Sequence, residues 1–273
     1  MTHRMVEAAH PLTEASVHSA DGTRIGYCRL GEGPALVFVH GSISTHTDWM
    51  RVARLLANRF TCFVIDRRGR GRSGHGHGPY SMDRECEDIS AVLGAAGEGA
   101  ALVGHSFGAI CSLETAMRKP VRRLVLYEPP LPAGGPIAGD KHAAYAEAIA
   151  RGDLDGALEL GLEHFSRIPV AEIAALRNSR AWQRLRTLAP SWVRELEVMD
   201  ALSAGVEHYR TLGCPAMLLV GSESPEHPLL DASRALAGVL SSARVEILAG
   251  EGHVAMRTAP ELVAGLIGEF VAV

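Results

Sequence analysis

Residues 100–111 read AALVGHSFGAIC and combine a buried strand, a tight turn and the start of a helix. The apolar run has the character of a strand covered on both faces, and helical spacing begins after the turn. The turn itself, GHSFG at 104–108, matches the G-x-S-x-G pattern of a nucleophilic serine. Bulky side chains next to so tight a turn would clash, which explains the flanking glycines. The segment predicts that Ser106 is a nucleophile above a sheet edge, and we interpret His105 as a structural residue pointing away from it.

Further apolar runs on either side of this segment predict a parallel sheet. They are ALVFVHG ending at Gly41, TCFVID at 61–66 and RRLVLYE at 122–128. The intervening segments have helical spacing, around 48–57, 81–96 and 107–118. An Asp-Gly turn predicts an N-terminal hairpin with strands near 15–19 and 24–30. Alternation of strands and helices is typical of a doubly wound α/β sheet.

The alternation stops between Pro129 and about Gly205, where several amphipathic helical segments follow a Pro/Gly-rich linker. It resumes with PAMLLVGS at 215–222, a helix near 229–240, a strand at 243–250 and a final helix from about 259. We therefore predict an α/β core of residues 1–131 and 206–273 and a helical cap of residues 132–205. Five apolar residues of the cap are expected to be packing residues: Leu158, Leu162, Phe165, Ile173 and Leu176.

Composition narrows the class of protein. The formal net charge of −4, with both signs interspersed, gives no sign of a nucleic-acid partner. Five scattered cysteines without a CxxC pair indicate reduced thiols, and neither a signal peptide nor a stretch long enough to span a membrane is expected. We expect a cytoplasmic enzyme or binding protein, as a monomer or a homodimer.

Four motifs in order resemble the α/β-hydrolase family over nearly the whole chain. They are the His40-Gly41 turn, the stretch DRRGRGRS at 66–73, the GHSFG turn and the late GEGH at 250–253. The resemblance implies an α/β-hydrolase fold, with a mostly parallel, doubly wound sheet of about eight strands and a helical cap inserted after strand 6. It also implies that the arginines of 66–73 belong to a structural loop, with an anion site as the alternative.

The same resemblance implies an oxyanion hole and a base. Donors for the oxyanion are expected from the backbone N–H of Phe107, directly after the nucleophile, and from Ser42, just beyond the His40-Gly41 turn. Among thirteen histidines, His253 is the candidate base because it lies in a Gly-rich loop between the last predicted strand and the last helix. A neutral imidazole there can take the serine proton.

The acid departs from the family pattern. The family usually has an aspartate three residues after a glycine in the loop following the seventh strand, and counting from Gly221 reaches Ser224. Glu223, one residue early in the same loop, and Glu128, at the end of the sixth strand, are the alternatives. The sixth and seventh strands are neighbours in the family's sheet, and haloalkane dehalogenases use the earlier position. We favour Glu128, which two following prolines hold in place.

These residues predict a serine hydrolase with a Ser-His-Glu triad that cleaves a carboxylic ester, lactone, thioester or diketone C–C bond of a small molecule. A cofactor-free lyase, a perhydrolase and a non-catalytic ligand receptor are the alternatives on the same scaffold. Epoxide hydrolases and haloalkane dehalogenases are disfavoured because both need a carboxylate where this chain has Ser106. No metal and no organic cofactor is implied, and neither is a membrane partner.

Overall fold

The computed structural model describes residues 10–132, 135–202, 205–224 and 229–272. The strands are β1 (Thr13–His18), β2 (Arg24–Leu30), β3 (Ala35–Val39), β4 (Thr61–Ile65), β5 (Ala101–His105), β6 (Leu124–Tyr127), β7 (Ala216–Gly221) and β8 (Ala243–Leu248). They form one eight-stranded sheet in the order β1-β2-β4-β3-β5-β6-β7-β8. The pairs β1–β2 and β2–β4 are antiparallel, and all other neighbours are parallel.

Helices cover both faces of this sheet. In chain order they are α1 (Met50–Leu56), α2 (Met82–Ala96), α3 (Phe107–Arg118), α4 (Lys141–Ala150), α5 (Leu154–His164), α6 (Val170–Arg177), α7 (Arg180–Leu188), α8 (Trp192–Asp200), α9 (Asp231–Val239), α10 (Ala255–Thr258) and α11 (Pro260–Ala272). Helices α2, α3 and α9 share one buried apolar cluster with the sheet, and α1 and α11 share the other. Among the described residues, no helix combines the length and hydrophobicity needed to cross a bilayer.

The predicted α/β class with a mostly parallel, doubly wound sheet is confirmed. Every residue of β4, β5, β6 and β7 is buried, which explains why these strands read as unbroken apolar runs. The first strand begins at Thr13, two residues earlier than predicted, because its pairing with β2 extends from His18 back to Thr13 opposite Arg29. Helix α9 begins at Asp231, and β8 ends at Leu248.

The topology brings the carboxyl ends of all six parallel strands, β3 to β8, to one edge of the sheet, and five of these ends concern the site. Strands β3, β5, β6, β7 and β8 are mutually parallel, so their carboxyl ends, Val39, His105, Tyr127, Gly221 and Leu248, face the same way. Every residue predicted to act in catalysis follows one of these ends in the chain. Ligand sites in doubly wound sheets lie at this edge.

Helices α4–α8 lie in the connection between β6 and β7. They enclose a small apolar cluster of their own, formed by Leu158, Leu162, Ile173, Trp182 and Leu185. At the end of α8, the carboxylate of Asp200 accepts hydrogen bonds from the backbone N–H groups of three residues that precede α4, 137 to 139. The start of the connection is thereby tied to its end.

The division into a core (1–131 and 206–273) and a cap (132–205) stays a prediction. Residues 1–9, 133–134, 203–204, 225–228 and 273, which these ranges include, lie outside the described residues.

The carboxylate of Asp66 stabilises the loop after β4 through hydrogen bonds. It accepts hydrogen bonds from the backbone N–H groups of His46 (2.9 Å) and Arg72 (3.0 Å) and contacts the His46 ring at 2.8 Å. A Cβ at Gly71 would lie 2.3 Å from Asp66 Oδ2, and the φ angle there is 45°, so glycine is required. Burial opposes the charge of Asp66, but the hydrogen bonds outweigh it and lower its pKa to about 2.

Three arginines of the same loop are buried in ion pairs with carboxylates of the protein. Arg67 pairs with Glu85 and Glu195, Arg68 with Asp88, and Arg70 with Glu195. All three side chains are also buried and their charges are balanced by carboxylates of the protein, so they are not available to phosphate from solvent. The loop therefore has the structural role that its resemblance implied.

We predict that Asp66→Asn lowers the free energy of unfolding at pH 7 and that the difference shrinks in acid. The folded-state pKa lies below the ordinary value of 3.8, at about 2. The stabilisation is therefore complete above pH 4 and is lost as the pH falls through 2; it amounts to about 2 kcal/mol. Urea unfolding at pH 7 and pH 3 measures it, with the exposed Asp140→Asn as control. A deficit that is equal at both pH values contradicts the prediction.

Candidate active site

Ser106 sits in the turn between β5 and α3 in a strained backbone conformation. Its φ and ψ angles are 53° and −127°, a region that residues with a side chain rarely adopt. The conformation is held by the backbone, since the N–H of Ser106 donates to the carbonyl of Tyr127 (2.8 Å) and its carbonyl accepts from Ala109 (2.8 Å). Such strain is typical of a serine that a turn lifts above its sheet.

Close backbone packing explains the glycines around this turn. A Cβ at Gly104 would lie 2.5 Å from the carbonyl oxygen of Gly108, and one at Gly108 would lie 2.3 Å from that of His40. A Cβ at Gly41 would lie 2.9 Å from Cβ of Ser106. The turn and the loop after β3 therefore touch directly, which only glycine permits.

Glu128 and His253 form the central pair of the site. The side chain of Glu128 is fully buried, and its Oε2 accepts a hydrogen bond from Nδ1 of His253. Its Oε1 accepts from the backbone N–H of Gly221 at 2.7 Å, so both carboxylate oxygens are occupied. The backbone of Glu128 has a φ angle of 46°, in the left-handed region that favours glycine. This arrangement leaves Nε2 of His253 as the ring nitrogen that the carboxylate does not engage.

The loop carrying His253 is fastened at two further points. The hydroxyl of Tyr127 donates to the carbonyl of Gly252 and accepts from the N–H of Ala255 (2.9 Å). The Nε2 of His105 lies 2.8 Å from the carbonyl of His253, a contact in which the ring must donate. Burial, together with the neighbouring His253, holds the pKa of His105 well below its ordinary value, so the ring is neutral. Its contact with His253 shows that His105 is a structural neighbour of the site.

Glu223 lies in the same region but does not contact the histidine. Its side chain is exposed, and its carboxylate accepts from the Ser222 hydroxyl at 3.3 Å. Ser224, at the position where the family usually has an aspartate, has a buried hydroxyl without a hydrogen-bond partner among the described residues. Of the two candidate acids, the fold brings only Glu128 to His253.

The loop after β3 brings Ser42 to the same site as Phe107. Neither backbone N–H has an acceptor among the described residues. His40 shapes this loop, because its Nδ1 donates to the carbonyl of Gly41 (2.8 Å) and its Nε2 accepts from the N–H of Arg67 (3.1 Å). Burial lowers the pKa of His40 to about 4, which keeps it neutral. An oxyanion requires two N–H donors that have no other acceptor.

Comparison with known proteins agrees with this geometry. A sequence profile of the Alpha/beta hydrolase family matches residues 36–266. The chain belongs to this family. Its structure is similar to that of an alpha/beta hydrolase from Sphaerobacter thermophilus, at 30% identity and a TM-score of 0.86 over 94% of this chain and 99% of that one. The predicted resemblance is confirmed.

Two curated relatives of this hydrolase have named activities. The 2-(acetamidomethylene)succinate hydrolase of Mesorhizobium japonicum is 25% identical over 264 residues, covering 88% of this chain and 89% of that protein. The N-formylmaleamate deformylase of Pseudomonas putida is 38% identical over 122 residues. That second match covers 43% of this chain and 46% of the deformylase, about half of its length.

A cavity of about 680 Å³ in this hydrolase is lined by both Ser106 and His253. Its apolar lining comes largely from helices α5–α8 and the loops between them, through Leu162, Phe165, Ile168, Leu176, Leu185, Trp192, Leu196 and Met199. Charged side chains also line it: Asp48, Arg167, Glu172, Arg184, Glu223 and Arg257. Within the described ranges, no group of three or more His, Cys, Asp or Glu side chains is arranged to hold a metal ion.

Sequence patterns could not distinguish packing residues from cavity-lining residues in the connection between β6 and β7. Of the five expected to be packing residues, Leu158 and Ile173 are buried, whereas Leu162, Phe165 and Leu176 also line the cavity. Helical spacing marks an apolar face, and the same face here packs and encloses the cavity. Sequence reasoning also missed the role of Tyr127, because nothing in the strand end LVLYE distinguishes a tyrosine that fastens a distant loop.

Proposed function

We propose that this hydrolase cleaves a carboxylic ester or related acyl bond of a small molecule with Ser106 as nucleophile, His253 as general base and Glu128 as the acid that orients the base. The observation that carries the proposal is the buried carboxylate of Glu128 on Nδ1 of His253, at a cavity that His253 and Ser106 both line. A carboxylate in that position fixes the tautomer in which Nε2 accepts a proton, and it stabilises the imidazolium that results.

In the proposed mechanism, Nε2 of His253 takes the proton of the Ser106 hydroxyl while the oxygen attacks the acyl carbon. The tetrahedral oxyanion accepts hydrogen bonds from the backbone N–H groups of Ser42 and Phe107, and the N-terminus of α3 adds a favourable dipole. His253 then protonates the leaving group, and an acyl group remains on Ser106. Water, activated by the same histidine, releases the acid and regenerates the serine.

We predict that Ser106→Ala loses at least about 10⁴-fold in kcat and that His253→Ala loses about 10³-fold or more. Removing one hydroxyl or one ring should leave the fold intact. The measurements are release of carboxylic acid from a series of p-nitrophenyl esters and covalent labelling by a fluorophosphonate, with mass spectrometry to locate the label.

Three outcomes separate the alternatives. Full activity of Ser106→Ala contradicts the serine mechanism. A folded wild-type protein that is neither labelled nor active indicates a ligand receptor. Label on Ser106 without acid release from any ester, in the presence or absence of peroxide, indicates a lyase.

We predict that Glu128→Gln lowers kcat by as much as about 10⁴-fold, because an amide can trap the wrong imidazole tautomer. Glu223→Gln is the matched control. It lines the same cavity, but its carboxylate is exposed and does not contact the histidine, so a loss below about tenfold is expected for a solvated carboxylate. Steady-state kinetics on one ester measure both. A crippled Glu223→Gln beside a nearly normal Glu128→Gln would reverse the assignment.

A second candidate bond is the carbon–nitrogen bond of a carboxylate-bearing amide. Two curated relatives are named for a succinate and a maleamate. In this chain, Arg167 and Arg257 line the cavity, and neither guanidinium forms an ion pair with any described residue. Arg184 also lines it but is engaged by Asp48 at 3.2 Å. Two guanidinium groups without an ion pair favour a substrate with a carboxylate, whereas the carboxylates of Glu172 and Glu223, which line the same cavity, oppose one.

This candidate is tested by comparing mono-p-nitrophenyl succinate with p-nitrophenyl butyrate, which differ in one carboxylate. We expect Arg167→Gln or Arg257→Gln to lower the kcat/KM ratio of succinate over butyrate by about tenfold, the loss of one hydrogen bond to a charged group. Arg151→Gln, an exposed arginine paired with Glu147 away from the cavity, should leave the ratio unchanged. A ratio that no cavity arginine alters would rule out carboxylate recognition by these side chains.

A further inference from the structure

A buried cluster of charged residues connects α8 to the loop after β4 and to α2. It consists of Arg67 and Arg70 from the loop after β4, Glu85 from α2, and Glu195 from α8. Arg67 donates to Glu85 at 2.9 Å and to Glu195 at 2.7 Å, and Arg70 donates to the same oxygen of Glu195 at 2.7 Å. All four residues are buried, and their formal charges balance.

Arg67 contacts both segments that carry the proposed oxyanion donors. Its Nη1 donates to the carbonyl of Gly41 at 3.1 Å, directly before Ser42. Its guanidinium carbon lies 4.6 Å from the ring centroid of Phe107, a cation–π distance. Its backbone N–H donates to His40, which shapes the same loop. The Arg67 side chain therefore contacts the peptide group that contains the Ser42 N–H. It also contacts the ring of Phe107, the residue that supplies the other N–H.

Glu195 extends this cluster to the residues that cover the cavity. Its neighbours on α8, Trp192, Leu196 and Met199, line the cavity. Burial opposes its charge, but Arg67 and Arg70 outweigh burial and, with the Ser42 hydroxyl, hold its pKa below the ordinary value. The Ser42 hydroxyl and Oε2 of Glu195 are both buried without a hydrogen-bond partner among the described residues.

Removing the charge of Glu195 would leave the cluster unbalanced. Arg70 already has two buried guanidinium nitrogens without an acceptor among the described residues, and its contact with Glu195 is its one ion pair there. A buried charge without its partner is strongly unfavourable, so both arginines would have to move or draw in water. Any shift of Arg67 is passed to Gly41 and to Phe107, which it contacts.

We propose that Glu195 and Arg67 are positioning residues that set the oxyanion-hole backbone only while α8 is seated against the sheet. The inference rests on the proposed function, because it concerns the donors of that mechanism. According to this proposal, the packing of α8, whose residues line the cavity, determines the geometry of the N–H groups of Ser42 and Phe107. An enzyme with α8 displaced therefore has its nucleophile and base in place but an imperfect oxyanion hole.

The test compares Glu195→Gln with Asp88→Asn. Asp88 is a matched control because it is also a buried carboxylate paired with an arginine of the same loop, Arg68, but it contacts neither oxyanion segment. For an ester, we expect Glu195→Gln to lower kcat by about 10- to 100-fold, less than the loss of a whole oxyanion donor, with KM within about threefold. Asp88→Asn should leave both constants within about threefold of wild type.

A second readout separates positioning from simple destabilisation. Replacing the ester by its thionoester puts a poorly hydrogen-bonding sulfur in the oxyanion hole, so the ester-to-thionoester ratio of kcat/KM reports on the donors. We expect this ratio to fall at least about fivefold in Glu195→Gln, a small part of the effect of a full donor, and to stay unchanged in Asp88→Asn. Equal ratios in all three proteins would overturn the proposal.

Hydrogen–deuterium exchange tests the same coupling without turnover. Segment 40–45 should exchange faster in Glu195→Gln than in wild type or Asp88→Asn. If the wild type cleaves no ester, the proposed function fails, whereas exchange still decides on the coupling: unchanged exchange overturns it. If Glu195→Gln does not fold, Glu195→Asp replaces it. This variant keeps the carboxylate but moves it one methylene away from the arginines, so smaller changes in kcat, in the ester-to-thionoester ratio and in exchange are expected.

Discussion

The carboxylate of Glu128 joins three separate parts of the chain at the edge of the sheet. It belongs to the end of β6, accepts the N–H at the end of β7 and holds His253 from the loop after β8. A carboxylate this deeply buried is tolerated only where hydrogen bonds replace the lost water, and here both oxygens are occupied. The position of His253 depends on this group, and so does the proposed chemistry. A shift at the end of any of the three strands would be transmitted to the imidazole.

Backbone strain concentrates around the cavity. Four described residues other than glycine have positive φ angles: Ile43, Ser106, Glu128 and Arg167. Three of them line the cavity, and Glu128 contacts His253, which also lines it. Each strained residue costs about 1–3 kcal/mol and persists only where the surrounding structure determines it. Ser106 follows the fully buried strand β5 and Glu128 follows the fully buried strand β6, whereas Ile43 lies in the loop after β3 and Arg167 between α5 and α6.

Two kinds of charged side chain lie around the cavity, and they differ in burial and in ion pairing. The cluster of Arg67 and Glu195 is buried and internally balanced, so it contributes to geometry more than to net stability. Arg167 and Arg257 are exposed and line the cavity without an ion-pair partner in the described ranges, so they are free to engage a substrate. The first kind fixes the backbone around the nucleophile. The second faces the space that a substrate would enter.

The sequence alone determined the fold class, because buried parallel strands read as apolar runs and GHSFG lies directly after such a run and before helical spacing. It also singled out Ser106 and His253, each of which lies in a motif at a strand end. For the acid it favoured Glu128 but kept Glu223 as an alternative, since both lie near strand ends and spacing along the chain does not give distances across a sheet. Tertiary structure decided which of the two touches His253, through the pairing of β6 with β7. The same reason hid the link between Arg67 and Glu195: the two residues are far apart in the chain and meet only when α8 packs against the loop after β4.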